Sequence, residues 1–432
     1  MAEAMVNGAS NESFSGALEE VVEAYERVPF FRRHMEAAGI HPRDLGTPAD
    51  FRRVPPTSKV DYRRNFPAGV LATGTTLNDP FVFRSQSSGT TGERLLTIAH
   101  TYTLAERMTT TSSAHPGLQK VFAAAKEQRI CRYAAPNCSD VECSTPYTTP
   151  ASRTLSDGTR VLPVAHDLLA TPDTMVDQAV AETIDYRPHW LYTDPMHMAF
   201  LAGSLHRRGM QPPPVGGVVL TYNLVAHSAR RQVADVFPKD CILVEVVSMS
   251  ELGWMGMECP EGYVHMNNES FYLEFLVQDR PAEPGELAEL YVTSIGDQIS
   301  PHLRYWTGDL YTLLDGDCTC GSRFPRAEFQ GRGAYSIRRN GAVVLTPKQL
   351  DHLVGEAPWL TFYKARQTHH DRLDFRYIPA PSATQHALAA RDLHDRLEGA
   401  LGRGQRLSVL AVDYIECERS GKFLPCVSAV EP

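Results

Sequence analysis

The chain has 432 residues, of which 43% are apolar and 22% charged, and its formal net charge is −9. This length exceeds what one hydrophobic core usually supports, so two or more domains are expected. The acidic balance argues against a general nucleic-acid-binding protein, and the composition argues against a disordered or fibrous chain.

The N-terminal sequence, MAEAMVNGASNESFSG, lacks the basic start and the apolar run of a signal peptide. No stretch approaches the roughly 20 apolar residues of a membrane-spanning helix. Nine cysteines, unevenly spread, do not resemble a secreted disulfide framework. We therefore expect a cytoplasmic protein with no membrane partner, with residues 1–15 disordered. The sequence leaves a homodimer open.

Apolar residues recur at helical spacing over residues 18–40, with a break at Pro29. Residues 81–84 and 95–101 are predicted to be two strands, because both are short apolar runs. The segment SSGTTG lies between them, and a helix is expected after Thr101.

Further along, HWLYTD and GGVVLTYN have the apolar character of buried parallel strands, with helical patterns nearby. ILVEVVSMSE follows as another strand, and FYLEFLV and GELAELYVTSI read as antiparallel strands. The pattern changes at about residue 333. We predict an α/β fold: a large N-terminal domain of mixed β-sheets flanked by helices (16–332) and a small C-terminal α+β lid domain (333–432).

The SSGTTG segment could bind phosphate, because a glycine-rich loop can present several backbone N–H groups and hydroxyls to one anion. A flexible surface loop is the alternative for such a composition. The residues that would hold the anion are Ser88, Gly89, Thr90, Thr91 and Gly92. Arg94 could add a cation, or could form a solvated pair with Glu93.

Five segments in this order resemble motifs of the adenylate-forming superfamily, which includes acyl-CoA synthetases, adenylation domains and luciferases: SSGTTG, SMSELG, RYWTGDL, GRGAYSIRRNG and ERSGKFLPC. The opening YERVPFFRRHMEAAG and a Cys-x-Cys-Gly turn are similar to the phenylacetate–CoA ligase subgroup. The resemblance implies an AMP-forming ligase. It would activate a carboxylic acid, with an aryl acid favoured, to an acyl-adenylate with release of pyrophosphate, and then transfer the acyl group to CoA.

The resemblance also implies roles for individual residues. Thr90 and its neighbours in the loop would cradle the phosphates of ATP. Ser250 and Glu251 match the superfamily's [ST]-E pair, in which the glutamate helps to hold Mg²⁺. Asp309, in an intact T-G-D, would accept both ribose hydroxyls.

Two further residues carry implied roles. Arg332 would close over the ribose and phosphate, with an interdomain salt bridge as the alternative. Lys422 would bridge the carboxylate and the α-phosphate during adenylation. The chain departs from the family pattern at Val247, where a tyrosine that stacks on adenine is usual, and at Ala334, where the hinge residue is usually charged.

A second metal site is expected at three cysteines and a histidine. Three thiolates and one imidazole form the composition of a closed structural Zn²⁺ site. The four residues match a Cys₃His pattern of phenylacetate–CoA ligase relatives: Cys259, His265, Cys318 and Cys320. The alternative is four unrelated residues, since an unpaired cysteine is often a small core residue.

The acyl pocket is predicted to include Tyr133, Met196, Tyr222 and Ser248, by position in the family and because ligands bind where parallel strands end. Ordinary core packing is an equal alternative for Met196 and Tyr222. His197 or His189 could orient a substrate hydroxyl or amine, although a satisfied structural histidine is the favoured interpretation.

Two functional alternatives stay open at this point. The acyl group could pass to an amine or to a carrier protein in a biosynthetic pathway, which the departures at Val247 and Ala334 would permit. A catalytically inactive nucleotide-binding relative is the second alternative. The presence of Thr90, Glu251, Asp309 and Lys422 argues against inactivity.

Overall fold

The computed structural model describes residues 11–86, 95–136, 148–402, 404 and 406–430. The chain forms two compact units. The first comprises the described residues up to Pro116 together with Val246–Phe329, and the second comprises those from Gly117 to Glu245 and from Gln330 onward. Each unit is therefore built from two separated stretches of sequence.

Helices often begin with a proline that follows a capping side chain, as at Asp194–Pro195 and Thr346–Pro347. Proline is favourable there because its missing N–H would have no helical partner. Within the described residues the α-helices are Asn11–Arg27, Pro29–Ala37, Pro48–Phe51, Lys59–Asn65, Thr101–Ser112, Pro116–Ala123, Asp173–Tyr186, Pro195–Arg207, His227–Ala234, Pro347–Val354 and His386–Leu401. Short 3₁₀ turns occur at Pro42–Asp44, Ala151–Arg153, Leu168–Ala170 and Gly333–Tyr335.

The strands are mostly short and rich in apolar residues, as expected for buried sheets. In chain order they are β1 (Val82–Gln86), β2 (Leu96–His100), β3 (Ile130–Tyr133), β4 (Arg160–Val161), β5 (Trp190–Thr193), β6 (Gly217–Leu220), β7 (Ile242–Met249), β8 (Gly253–Glu258), β9 (Val264–Met266), β10 (Phe271–Val277), β11 (Arg280–Pro281), β12 (Leu287–Ser294), β13 (Tyr305–Leu313), β14 (Ala327–Arg332), β15 (Ile337–Arg339), β16 (Ala342–Leu345), β17 (Leu360–His369), β18 (Arg372–Pro379), β19 (Arg406–Ala411) and β20 (Cys426–Ser428).

The first unit is centred on a five-stranded sheet in the order β11-β10-β12-β13-β14. Strands β10, β12 and β13 pair antiparallel, as the alternating patterns predict. The helix Asn11–Arg27 packs here, with the Phe14 ring centroid 5.6 Å from that of Tyr272 and 6.0 Å from that of Phe51. Residues 11–15 are therefore helical, in contrast to the disorder expected through residue 15, because Phe14 has aromatic partners.

The second unit contains the parallel strands in the order β4-β3-β5-β6-β7. All four residues of β6 are buried, which explains its uninterrupted apolar sequence. Strand β7 then passes into the first unit at Val246, where β8 and β9 continue antiparallel. The strand and helix predictions for this region are confirmed.

Residues after Gly333 form an α+β arrangement within the second unit. A four-stranded sheet in the order β19-β18-β17-β20 packs with the helix His386–Leu401, whose buried leucines join the same core. The predicted fold class is confirmed, whereas the domain boundary at residues 332 and 333 stays a prediction. No helix among the described residues is long and apolar enough to cross a membrane.

Candidate functional site

Strands β1 and β2 form an antiparallel hairpin, and the Ser/Thr/Gly segment connects them. The hydroxyl oxygens of Ser85 and Thr97, opposite each other in this hairpin, lie 2.6 Å apart. The Thr97 hydroxyl also lies 3.3 Å from the backbone oxygen of Ser250. Residues 87–94, which include the predicted phosphate-binding residues Ser88 to Gly92, lie outside the described residues. The strands that carry them are nevertheless joined to the Ser250 segment.

Glu251 lies two residues beyond the end of β7 and is buried, with 3% of its surface exposed. The Lys59 ammonium lies 3.0 Å from Oε1 of Glu251, and the Tyr305 hydroxyl donates to the same oxygen at 3.3 Å. Burial alone would raise the pKa of Glu251, but the Lys59 charge and hydrogen bond outweigh it and hold the pKa below its usual value. Glu251 is therefore a carboxylate, an oxygen ligand suited to a hard cation.

The T-G-D turn lies inside β13, close to the start of the strand. Gly308 has a φ of +73°, a backbone conformation that glycine adopts without a steric penalty. The Thr307 hydroxyl accepts the backbone N–H of Asp309 at 3.1 Å, and both side chains are largely buried. This hydrogen bond orients the backbone of Asp309. Asp309 lies in the same unit as Glu251.

Three cysteines and a histidine converge in the first unit. Their ligand atoms all lie within 4.8 Å of one another, and the cluster consists of Cys259, His265, Cys318 and Cys320. The Sγ atoms of Cys259 and Cys318 lie 3.8 Å apart, and Sγ of Cys320 lies 3.3 Å from Nε2 of His265. With zinc–sulfur bonds of about 2.3 Å, tetrahedral geometry places two sulfur atoms about 3.8 Å apart. The spacing thus fits a tetrahedral ion.

The orientation of His265 also suits a metal ligand. Its Nδ1 lies 2.7 Å from the backbone oxygen of Phe324, so Nδ1–H donates there and Nε2 presents a lone pair to the thiols. Burial lowers the pKa of His265 and keeps the ring neutral, as metal binding requires. The backbone N–H of Ser322 lies 3.4 Å from Sγ of Cys320 and donates to it.

In the second unit, three neighbouring parallel strands end at one edge. Tyr133 of β3 is in register with Thr193 of β5, and Thr193 with Leu220 of β6. Tyr222, two residues beyond β6, has a φ of +74°, which is unusual for a residue with a side chain. Its ring centroid lies 5.2 Å from that of Tyr192. Carboxyl ends of adjacent parallel strands are a common ligand position in open α/β sheets.

Lys422 lies at this same edge. Its ammonium donates to the backbone oxygen of Tyr222 at 3.1 Å, and the side chain is 8% exposed. The preceding Gly421 has a φ of +78°, and a Cβ there would lie 3.1 Å from the backbone oxygen of His166. Glycine therefore allows the turn that carries Lys422 to pack closely against this neighbouring segment.

A buried carboxylate, Asp194, organises the edge. Its Oδ1 caps the helix Pro195–Arg207 by accepting the backbone N–H of Met196 at 2.9 Å, and it lies 3.0 Å from Nδ1 of His197. The side-chain amide of Asn223 donates to Oδ2. Burial opposes ionisation of Asp194, but His197, the Lys422 charge and the backbone N–H groups outweigh it and hold the pKa below its usual value.

No family model matches the chain. The phenylacetate–coenzyme A ligase of Thermus thermophilus is 26% identical over 316 residues, which span 70% of this chain and 65% of that enzyme. The Aromatoleum evansii phenylacetate–coenzyme A ligase is 24% identical over 417 residues, 92% of this chain and 89% of that enzyme. The match thus spans slightly less than two thirds of the first relative and most of the second.

This chain is similar in sequence to the phenylacetate–coenzyme A ligases. A solved structure of a 2-hydroxyisobutyryl-CoA ligase in the postadenylation state has the same fold, with a TM-score of 0.72. It is 17% identical, and the alignment covers 96% of this chain and 88% of the ligase. The chain therefore shares the fold of this CoA ligase.

The structure of this chain brings together some of the residues that the sequence singles out. Lys422 and Tyr222 are in direct contact, and the four residues of the Cys₃His cluster converge. Met196 is fully buried in the hydrophobic core of the second unit, where core packing accounts for it. Ser248 and Arg332 are half-buried, at the end of β7 and of β14 respectively.

The sequence patterns did not single out Lys59 or Asp194 as site residues. Lys59 begins the helix Lys59–Asn65, and its pairing with Glu251 depends on contacts between distant stretches of chain. Asp194 directly precedes a proline and starts a helix, which is a recognisable capping signal. That signal predicts the helix cap but does not predict the side-chain contacts of Asp194 with His197 and Asn223.

Proposed function

We propose that this protein is an AMP-forming acid–CoA ligase that activates a carboxylic acid of the aryl class with ATP. The observation that carries the proposal is the position of Lys422. Its ammonium lies where β5 and β6 end, beside the Tyr222 carbonyl and close enough to Asp194 to lower that residue's pKa. A cation at the carboxyl ends of parallel strands can meet a substrate carboxylate there.

In the first step a carboxylate oxygen attacks the α-phosphorus of ATP. The bond from that phosphorus to the oxygen bridging to the β-phosphate breaks, and pyrophosphate leaves. Negative charge accumulates on the transferred phosphoryl group, so a preorganised cation stabilises the transition state. Lys422 would hold the attacking carboxylate and the α-phosphate together, and the Tyr222 carbonyl would orient its ammonium.

Asp309 would accept the ribose hydroxyls, and Ser250 would contact the nucleotide beside it. Glu251 would hold Mg²⁺, because it is a buried carboxylate with a lowered pKa. Mg²⁺ neutralises phosphate charge when it is bound. The Lys59 ammonium, 3.0 Å from Oε1 of Glu251, balances the negative charge of this carboxylate. Arg332 would close over the phosphate, and Thr90 with its neighbours would cradle the β- and γ-phosphates.

In the second step the sulfur of CoA attacks the acyl carbon. The carbon–oxygen bond to AMP breaks, the thiol proton goes to solvent, and AMP leaves with the thioester formed. Residues 333–432 would act as a mobile domain that carries Lys422 away between the steps. Homology to CoA ligases supports CoA as the acceptor, whereas the uncharged Ala334 at the expected hinge leaves an amine or carrier protein as the rival acceptor.

We further propose that the Cys₃His cluster holds structural Zn²⁺. The donor set, the 3.8 Å sulfur separation and the Nδ1 hydrogen bond of His265 all support a closed tetrahedral site. Purified protein should contain about one zinc per chain. Cys318→Ser should lower that content severalfold, and Cys241→Ser, which changes a cysteine outside the cluster, should leave it unchanged. Equal zinc content in the two variants would contradict the site.

Pyrophosphate exchange tests the main proposal. With ATP and a panel of aryl and short aliphatic acids, we expect exchange that depends on the acid and does not need CoA. Added CoA should then be consumed with formation of thioester and AMP. Exchange without CoA consumption, tested alongside amines and carrier proteins, would favour the rival acceptors. ATP binding without exchange for any acid would support the inactive relative instead.

A further inference from the structure

Two buried polar atoms at the carboxyl edge of β3 and β5 lack a hydrogen-bond partner among the described residues. One is the Tyr133 hydroxyl and the other is Nε2 of His197. Both side chains are fully buried, with 0% of their surface exposed. An unsatisfied buried polar group is costly, so such groups are rare unless something else binds them.

The two rings are neighbours, and their placement is dictated by the sheet. Tyr133 ends β3, and its backbone oxygen accepts the N–H of Asp194 at 3.0 Å. Asp194 in turn lies 3.0 Å from Nδ1 of His197, one turn into the helix that it caps. The ring centroids of Tyr133 and His197 lie 6.3 Å apart at an interplanar angle of 78°.

The hydrogen-bonding capacity of the pair follows from its partners. The Asp194 carboxylate can only accept, so Nδ1 of His197 carries a proton and donates to it. The remaining Nε2 accepts when the ring is neutral and donates when it is protonated. Burial raises the pKa of Tyr133, so its hydroxyl is a neutral phenol that can donate or accept. A hydroxyl group, which also does both, complements this pair in either state of the histidine.

The pair is also connected to the residue that would hold the reacting carboxylate. Asn223 donates to Asp194, and the adjacent Tyr222 accepts from Lys422. Asp194 therefore links the His197 ring and the end of β3 that carries Tyr133 to the segment that contacts Lys422.

We propose that Tyr133 and His197 form a subsite for a hydroxyl group on the acyl part of the substrate, so that the protein activates a hydroxylated carboxylic acid. The inference rests on the proposed adenylation. Asp194 is the positioning residue, because it fixes the ring of His197 and leaves Nε2 available. The carboxylic acid without its hydroxyl would leave both buried atoms unsatisfied, and a site of this kind rejects such an analogue strongly.

Matched acids test the subsite. Pyrophosphate exchange is measured with phenylacetate and its 2-, 3- and 4-hydroxy derivatives, with mandelate, and with benzoate and its three hydroxy derivatives. We expect kcat/KM for the best hydroxylated acid to exceed that of its parent by about tenfold or more. Tyr133→Phe should reduce this ratio by about tenfold, because the hydroxylated acid loses a hydrogen-bond partner that its parent never had.

His197→Asn provides a second variant with the same purpose. The asparagine amide can replace Nδ1 as the donor to Asp194 but has no atom at the position of Nε2. The preference for the hydroxylated acid should fall as it does in Tyr133→Phe. A general loss of activity that is equal for hydroxylated and parent acids would overturn the subsite, because it would show a structural role only.

Thermal stability distinguishes a buried hydroxyl that has no hydrogen-bond partner in the folded protein from one that has a partner. Tyr363 is an equally buried tyrosine of the same unit, but its hydroxyl donates to Asp351 at 2.9 Å. Tyr363→Phe should therefore lower Tm, whereas Tyr133→Phe should leave Tm unchanged or raise it. An equal decrease in both variants would overturn the proposal, since the Tyr133 hydroxyl would then be satisfied within the folded protein.

Pyrophosphate exchange distinguishes failure of the proposed adenylation from failure of the hydroxyl subsite. If no acid supports exchange, the proposed adenylation fails and the subsite fails with it. If parent and hydroxylated acids exchange equally well in the unmodified protein, adenylation stands and the hydroxyl subsite alone is wrong.

Discussion

Three buried ion pairs of the first unit contrast with two buried polar atoms at one edge of the second. In the first unit three buried carboxylates each face a cation: Asp297 with Arg107, Glu251 with Lys59 and Glu274 with Arg304. In the second unit the edge of β3 and β5 leaves the Tyr133 hydroxyl and Nε2 of His197 without a partner in the described chain.

The difference shows how each region can contribute to a reaction. A buried ion pair is costly to break, since removing one partner strands the other charge, so paired carboxylates hold a framework in one geometry. Unsatisfied groups cost stability until a ligand binds, and the same groups then supply specificity. We therefore expect the loss of the Arg107–Asp297 pair to act on stability and substitutions at the edge of β3 and β5 to act on turnover.

The largest expected effect breaks a pair in the first unit. Arg107 is 1% exposed, lies 3.2 Å from Asp297 and donates to the backbone oxygen of Leu252 at 3.2 Å. Arg107→Met should lower the free energy of unfolding by about 3–5 kcal/mol, because Asp297 is left buried and unpaired. Urea denaturation followed by circular dichroism measures this loss.

Two controls sharpen that test. Asp297→Asn added to Arg107→Met removes the stranded charge while the side-chain oxygen can still accept the backbone N–H of Ser300, so part of the stability should return. Arg323→Met breaks an exposed pair with Glu269 in the same unit, and its effect should stay within about 1 kcal/mol. A loss for Arg107→Met no larger than that of Arg323→Met would contradict the proposed framework.

The next effect concerns Lys422, at the carboxyl edge of β5 and β6. Lys422→Ala should lower the rate of pyrophosphate exchange about 10²–10³-fold, because the preorganised charge at the α-phosphate is lost. ATP affinity should change little, and equilibrium binding of a fluorescent ATP analogue measures this. Lys239→Ala, at an exposed lysine of the same unit, is the matched control and should leave exchange unchanged. Unimpaired exchange in Lys422→Ala would remove Lys422 from the mechanism.

Local sequence signals predicted much of this architecture and little of its electrostatics. The apolar runs at β5 and β6 predicted parallel strands, and the motif order predicted that Lys422 and Glu251 have functional roles. The Arg107–Asp297 pair joins residues 190 positions apart, and no periodicity or spacing links them. For His197 the sequence favoured a satisfied histidine, and the structure pairs Nδ1 while leaving Nε2 unpaired among the described residues.

The smallest effect concerns Glu20, a buried carboxylate of the first unit that accepts the backbone N–H of Asp297 beside the Arg107–Asp297 pair. Glu20 is 4% exposed and accepts the backbone N–H of Gly296 at 2.7 Å. Burial and the nearby Asp297 charge raise the pKa of Glu20 to about 8. The folded protein therefore binds more protons than the unfolded chain between pH 4.5 and 8, so this group makes stability fall as the pH rises through that window.

Glu20→Gln removes this titration and keeps an acceptor for the backbone N–H of Gly296. Between pH 6 and pH 8 the unmodified protein should lose about 2 kcal/mol more of its free energy of unfolding than the variant does. Thermal unfolding at both pH values measures the difference, and Glu12→Gln, at an exposed position of the same helix, should follow the unmodified protein. Parallel pH dependence in Glu20→Gln and the unmodified protein would show that Glu20 is already ionised in this range, with Arg107 and the backbone N–H groups of Gly296 and Asp297 outweighing burial.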